Sequence, residues 1–386
     1  MRPSGKRVDN SSTSLWDLAR LFLKLGTIAF GGPAAHIAMM ENEIVRRRNW
    51  MTRDEFLDLL GATNLIPGPN STEMAIHIGH RQRGWPGLLV AGTCFILPAA
   101  LIVTAFAWAY VTYGSLPQVA GVLYGVKPVI IAVVLDALWS LGRAAIKTVF
   151  LGAIVVAGVI LTFLGIHELL VLLGAGVITG FGRLILRQIR SGRNAFVLKS
   201  PIALLLQVSG AATTQFGLWP LFLFFLKVGA VLYGSGYVLL AFIRADLVER
   251  WHWLTETQLL DAIAVGQVTP GPVFTTATFI GYVLAGTKGA IVSTVGIFLP
   301  AFVFVALSGP LVPRIRKSAT AGAFLDGVNA AALALMLVVT YQLARAAVVD
   351  LPTIGLALVS AILLLVFRVN SAWLILGGAI VGWFLS

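Results

Sequence analysis

Apolar residues run along this chain in long blocks, most of them near the roughly 20 residues that a helix needs to cross a bilayer. Such blocks cover 16–40, 86–113, 119–141, 147–165 and 168–186, and again 219–243, 287–311, 322–345, 351–367 and 371–385. Each predicts a membrane-spanning helix. Two further blocks, 55–80 and 256–285, are apolar but broken at the middle by Pro-Gly-Pro. Proline removes a backbone donor and forbids a continuous helix, and neither half of such a block could span alone. Each therefore predicts a re-entrant hairpin. The expected fold is an all-α polytopic membrane protein.

The two broken blocks belong to an internal repeat. At one constant offset Phe22-Leu23-Lys24 recurs as Phe225-Leu226-Lys227, Leu57-Asp58 as Leu260-Asp261, and Pro67-Gly68-Pro69 as Pro270-Gly271-Pro272. After a one-residue deletion Leu97-Pro98-Ala99 recurs as Leu299-Pro300-Ala301, and Gly125-Val126 as Gly327-Val328. The expected organisation is a polar tail (1–14), a first repeat (15–187), a basic cytoplasmic linker (188–217) and a second repeat (218–386). Each repeat has about five spans.

Composition agrees with the pattern. Charged residues make up 11% of the chain and hydrophobic ones 58%, against roughly 25% charged in a soluble domain. The tail and the block after it, which contains Arg20 and Lys24, do not read as a cleaved signal peptide. One cysteine, Cys94, excludes an intramolecular disulfide and a multi-cysteine metal site. The net charge of +12 would suggest nucleic acid in a soluble protein. Here it reads as the bias of Lys and Arg towards cytoplasmic loops, and no nucleic-acid partner is expected. Placing basic 183–199 inside sends most other basic loops inside too. Five crossings then separate equivalent points, so the repeats are expected to be inverted. Inverted repeats with broken helices mark secondary transporters, with the site near the midplane. A parallel duplication with one miscounted span remains the alternative.

Candidate chemistry centres on the breaks. In Asn64-Leu-Ile-Pro67-Gly68-Pro69-Asn70-Ser71-Thr72 the polar residues after the second proline look like the start of a half-helix. Its free N–H groups and positive dipole end suit an anion. The second copy offers Gln267, Pro270, Gly271, Pro272, Thr275 and Thr276. Two half-helices meeting from opposite sides would cradle an oxyanion; a turn with only a packing role is the alternative. Lys24 and Lys227 hold equivalent places before Gly-rich breaks that include Gly31 and Gly32, and Gly234. Intramembrane charges are functional by default, although a lysine near a helix end can snorkel to the interface. Lys127 is mid-span, with neutral Asn329 as its repeat partner. Glu73, His77 and His80 share one helix face, with His36 and Glu41 nearby in sequence. Of these Glu73, His77, His36 and Glu41 are candidates for proton coupling. His80 reads better as an interfacial polar residue, and no metal ligand set or other cofactor site stands out. The run Arg46-Arg47-Arg48-Asn49-Trp50 reads as an interfacial belt facing anionic lipid.

The stretch Phe30-Gly31-Gly32-Pro33-Ala34-Ala35-His36, then Glu41, then Asn64 to Ala75, resembles the chromate ion transporter family. Gly266 to Val273 resembles that family's second domain. The resemblance covers nearly the whole chain and fits the long, two-domain subtype. It implies a multi-pass carrier of the bacterial inner membrane, driven by the proton motive force, that expels chromate and is no enzyme. Sulfate, equal in shape and charge, is the natural competitor. A homodimer is compatible with it. The linker is short for the subtype. A passive oxyanion channel, a sulfate carrier and a membrane enzyme acting on lipid phosphates are the alternatives.

Overall fold

The computed structural model describes residues 13–30, 32–114, 116–190, 215–233, 236–316 and 318–385. The proposed linker lies largely outside them, as do Gly31 and Gly234. Among the described residues the chain is helical and has no strand. Fourteen α-helices follow in order: α1 (Leu15–Ile28), α2 (Gly32–Glu41), α3 (Arg53–Thr63), α4 (Asn70–Tyr113), α5 (Pro117–Ala145), α6 (Val149–Phe163), α7 (Glu168–Arg190), α8 (Leu218–Val231), α9 (Leu239–Ile243), α10 (Glu256–Val268), α11 (Thr276–Arg316), α12 (Ala319–Ala347), α13 (Leu351–Leu365) and α14 (Ser371–Leu385). Two π-helical turns, Asn42–Arg47 and Arg244–Arg250, continue α2 and α9.

Local chemistry repeats with the sequence. Thr52 and Glu55 form a capping box at the start of α3, and Thr255 and Gln258 form its counterpart at α10. Each box satisfies two donors that a helix start leaves open. α4 and α11 are helical hairpins. The direction changes at Gly84, with φ 60° and ψ −143°, and at Gly286, with φ 60° and ψ −149°, a region that only glycine occupies readily. Beyond each bend the legs touch: a methyl group on Gly79 would run into the Gly87 carbonyl, and one on Gly281 into that of Gly289.

Four helical stretches, 70–113, 118–145, 273–308 and 319–347, are long and apolar enough to cross a membrane. Shorter apolar helices cover 149–163, 218–231, 351–365 and 371–385. The single spans expected over 16–40 and 219–243 are each broken. α1 stops at Ile28, and α2 begins at Gly32 with φ 77°; α8 stops at Val231. The Gly-rich breaks halt the helix although the hydropathy runs on.

The same packing occurs twice with the halves exchanged. α1 packs on α4 as α8 packs on α11, and α4 and α11 pack on each other. The last helices cross over: α6 and α7 of the first half lie on α12, while α13 and α14 of the second lie on α5. Leu18, Leu21, Phe22 and Phe95 form the core of one bundle, and Leu221, Phe224 and Phe225 contribute to the other.

Candidate functional site

The Pro-Gly-Pro breaks lie at hairpin tips. α3 ends at Thr63 and the next helix starts at Asn70. Arg81 reaches back to Glu55 at 2.7 Å, so the two legs around the tip are antiparallel. Each tip is fastened to the other half. The Gly68 N–H donates to the Leu232 carbonyl and the Gly271 N–H to the Ala29 carbonyl, both at 2.8 Å. Ala29 and Leu232 are the residues at which α1 and α8 unwind, so a carbonyl without a helical partner meets a tip N–H. Gly68 (φ 140°) and Gly271 (φ 95°) take backbone angles that other residues rarely adopt.

A cavity of about 640 Å³ lies against both tips. Gly68, Pro69, Asn70 and Ser71 line it from one side, and Gly266, Gln267, Gly271 and Pro272 from the other. Gly32 and Pro33 at the start of α2 border it as well. The N-cap of α4 is Pro69, which has no side-chain oxygen to accept from the first turn. The polar end of α4 is thus open to a ligand in the cavity.

The other expected site residues stand back from the cavity. Lys24 pairs with Glu43 at 2.9 Å and Lys127 with Asp261 at 3.3 Å. Lys227 pairs with Asp246, the repeat counterpart of Glu43. Donation from Lys24, then from Arg47, holds the Glu43 carboxyl below its ordinary range against the opposing effect of burial. Asn64 is reached through Asn70, whose Nδ2 donates to its Oδ1. Thr275 and Thr276 donate to Pro272 and Val273 within their own turn. Pro67, Pro270 and Asn329 do not line the cavity.

Glu73 is fully buried behind Gly68; neither of its oxygens has a hydrogen-bond partner, nor does the Thr72 hydroxyl. His77 is buried one turn on, with Nε2 unpartnered. His36 Nε2 is hydrogen-bonded to the Ala29 carbonyl. Glu41 sits beside Arg46 and Arg53. Of the candidates for proton coupling, Glu73 and His77 share a buried face of α4, and His36 and Glu41 serve other contacts.

Residues that the sequence reading passed over complete the lining. They are Asp136 and Ser140 on α5, Tyr237 after α8, Arg368 and Asn370 between α13 and α14, and Ser371 at the start of α14. Asp136 is the one acidic residue in α5, so its place inside a span was a signal available beforehand. Arg368 had only a topological reading. It takes φ 54° in the α13–α14 turn, as Gly165 takes φ 77° in the equivalent α6–α7 turn.

The family model for the chromate transporter matches residues 16–181 and again 219–383. The chain belongs to the chromate transporter family. A chromate transport protein of Cupriavidus metallidurans is 36% identical, over 95% of this chain and 92% of that protein. A probable chromate transport protein of Synechococcus elongatus is 32% identical over 90% and 89%, and a chromate transport protein of Pseudomonas aeruginosa 31% over 94% and 90%. No solved structure matches the chain. Family membership and the apolar helices make this a membrane protein.

A second cavity, lined by the α6–α7 turn and α12, which are repeat counterparts of the α13–α14 turn and α5, but by neither tip, is smaller and crossed by charges. It holds about 280 Å³ between the α6–α7 turn, the second π-helical turn and α12. Arg250 donates to both Glu168 oxygens at 2.9 Å and also to Asp246. Arg244 joins Glu249, Glu256 and Gln342. His167, Glu168 and Asp246 lie close enough together to suggest a metal, but Arg250 and Lys227 already neutralise the two carboxylates.

Proposed function

We propose that the chain is a carrier for chromate in the bacterial inner membrane, and that the anion sits in the cavity between the two Pro-Gly-Pro tips. The observation that carries this reading is the pair of exchanged bonds, Gly68 to Leu232 and Gly271 to Ala29. They make one cavity from both halves, so movement of either half alters the site. The N-terminal end of α4 offers N–H groups to an oxyanion. Asn70, Ser71, Gln267, Tyr237 and Asn370 add neutral donors, and Arg368 supplies the positive charge. In this reading Lys24 and Lys227 anchor the π-helical turns and leave the anion to Arg368.

The halves run in opposite directions across the membrane, and the tips are re-entrant. An exchange of charge supports this: Glu41 faces Arg46 and Arg53, whereas its counterpart Arg244 faces Glu249 and Glu256. The same contacts persist with opposite signs, as expected if one set faces the cytoplasm, where basic residues gather, and the other faces outward. Transport is then alternating access by rocking of the halves. The open cavity and its small, ion-paired counterpart are the two ends of that movement, one open and one shut. Export draws on the proton motive force, and sulfate competes because it has the same shape and charge.

The test is accumulation of labelled chromate in inside-out vesicles, with and without an uncoupler and excess sulfate. Saturable accumulation that Arg368→Gln lowers and the uncoupler abolishes is expected. Accumulation that persists unchanged in Arg368→Gln would place the anion elsewhere. Flux that neither saturates nor responds to the uncoupler would make the protein a passive channel.

A further inference from the structure

Among the described residues that line the cavity, Asp136 is the one carboxylate and Arg368 the one cation. No ion pair engages either of them, whereas all three intramembrane lysines are paired. An unpaired acid inside a span calls for a function. This acid faces the proposed place of a dianion, which an ionised carboxylate would repel.

We infer that Asp136 links proton binding to oxyanion binding: the carboxylate and the anion compete for Arg368, and the anion enters as Asp136 takes up a proton. This rests on the anion site proposed above and assigns its coupling group. When Asp136 is ionised, it attracts the Arg368 guanidinium across the cavity and weakens the field felt by an anion. When Asp136 is protonated, Arg368 is free to pair with the anion, and the carboxylic acid becomes a donor. A bound dianion in turn favours the protonated form of a nearby carboxyl. Linkage is reciprocal, so each ligand strengthens the binding of the other.

Among the described lining residues Arg368 is the one cation that shares the cavity with Asp136. α13 and α14 carry no ionisable side chain. On α10, Asp261 is held by Lys127 and Tyr110. On α12, Asp326 is held by Lys147, and Tyr341 and Arg345 do not line the cavity. Tyr237, a neutral lining residue, lies near enough to Asp136 to feel its charge, and its hydroxyl donates to Gln267. On α5 itself Lys127 is engaged, and Arg143 lies outside the lining. Glu73, the other carboxyl of the region, is separated from the anion by the tip backbone and does not line the cavity. The repeat also separates the pair: Val338 replaces Asp136 in the second half, and the α6–α7 turn has Gly165 at positive φ where the α13–α14 turn has Arg368.

Positive linkage makes proton and anion travel together. A dianion leaving with one proton carries one net negative charge outward. The membrane potential, negative inside, drives that movement, and the pH gradient opposes it.

The experiment is calorimetric titration of the purified full chain with chromate. It uses mildly alkaline buffers of different ionisation enthalpy, in which chromate is wholly the dianion. The wild type should take up about one proton per chromate bound, with affinity falling about tenfold per pH unit over the range in which that uptake is measured. Asp136→Asn should bind chromate with no proton uptake and with a flat pH profile, and binding itself shows that the variant folds. Asp136→Glu should restore uptake, and Glu73→Gln should keep it. Proton uptake that survives in Asp136→Asn, or that is lost in Glu73→Gln instead, overturns the assignment. A wild type that binds no chromate overturns both the anion site and this inference.

Discussion

Arg250 ties together the ion-paired pocket beside the α6–α7 turn. It sits in the second half, yet it grips both oxygens of Glu168 from the first half and also reaches Asp246. Both carboxylates are buried, Glu168 at 7% and Asp246 at 3% exposure, while Arg250 keeps about a third of its side chain exposed. Arg250→Gln leaves Glu168 without a cation and Asp246 with Lys227 alone. Removing one partner from a fully buried pair costs about 3–5 kcal/mol. The partial exposure of Arg250 lowers the expected cost to about 2–3 kcal/mol. A double-mutant cycle with Glu168→Gln isolates the pair, because the double variant has neither charge. Thermal unfolding followed by tryptophan fluorescence supplies the four stabilities. A coupling of about 1–3 kcal/mol is expected for groups in such direct contact. Under the proposed alternating access, the Arg250→Gln variant should also bind chromate more weakly at the cavity, because loosening this pocket lowers the population of the present conformer. Additive stabilities, with unchanged chromate affinity in Arg250→Gln, would refute the view that this pair holds one side shut.

The paired lysines give a contrasting expectation: Lys24→Ala with Lys227→Ala should keep chromate affinity while lowering thermal stability. A tenfold loss of affinity at unchanged stability would return the lysines to the anion site. The hairpin bends should tolerate no side chain well. Gly84→Ala and Gly286→Ala should each cost about 1–3 kcal/mol, read as a lower midpoint of unfolding, and neither substitution touches the cavity. The Lys24–Glu43 contact has a defined acid limit. The folded state holds Glu43 below its ordinary range, so its contribution is full above the unfolded value and is lost as pH falls through the lowered folded value. The stability difference between wild type and Glu43→Gln should shrink on acidification; a difference that grows would show the sign to be wrong.

The helical fold and the repeat were legible because hydropathy and repeated motifs are local signals. The helix breaks at the two Pro-Gly-Pro sequences were legible too, since proline cannot continue a helix. Two things were hidden. The break after α1 lies inside an apolar block, where hydropathy continues although Gly32 turns the chain. The partners of the lysines were hidden because Glu43 and Asp246 sit in π-helical turns that no periodicity announces. Lys24 therefore read either as a functional charge inside the membrane or as a lysine snorkelling to its edge, whereas the fold pairs it with Glu43 within its own half. Asp136 and Arg368 come from helices that cross over between halves, so only tertiary packing brings them to one cavity. Asp136 could still have been found, as a lone acid in a span, by the reasoning that singled out Lys127 a few turns earlier.

Steric filling of the cavity asks most directly whether chromate binds between the tips. Ala137 on α5 lines the cavity, and Leu135, two residues away, is exposed on the outside of the bundle. Chromate titration of the purified protein should show binding abolished in Ala137→Trp and preserved in Leu135→Trp. Full affinity in a folded Ala137→Trp would contradict the placement of the anion.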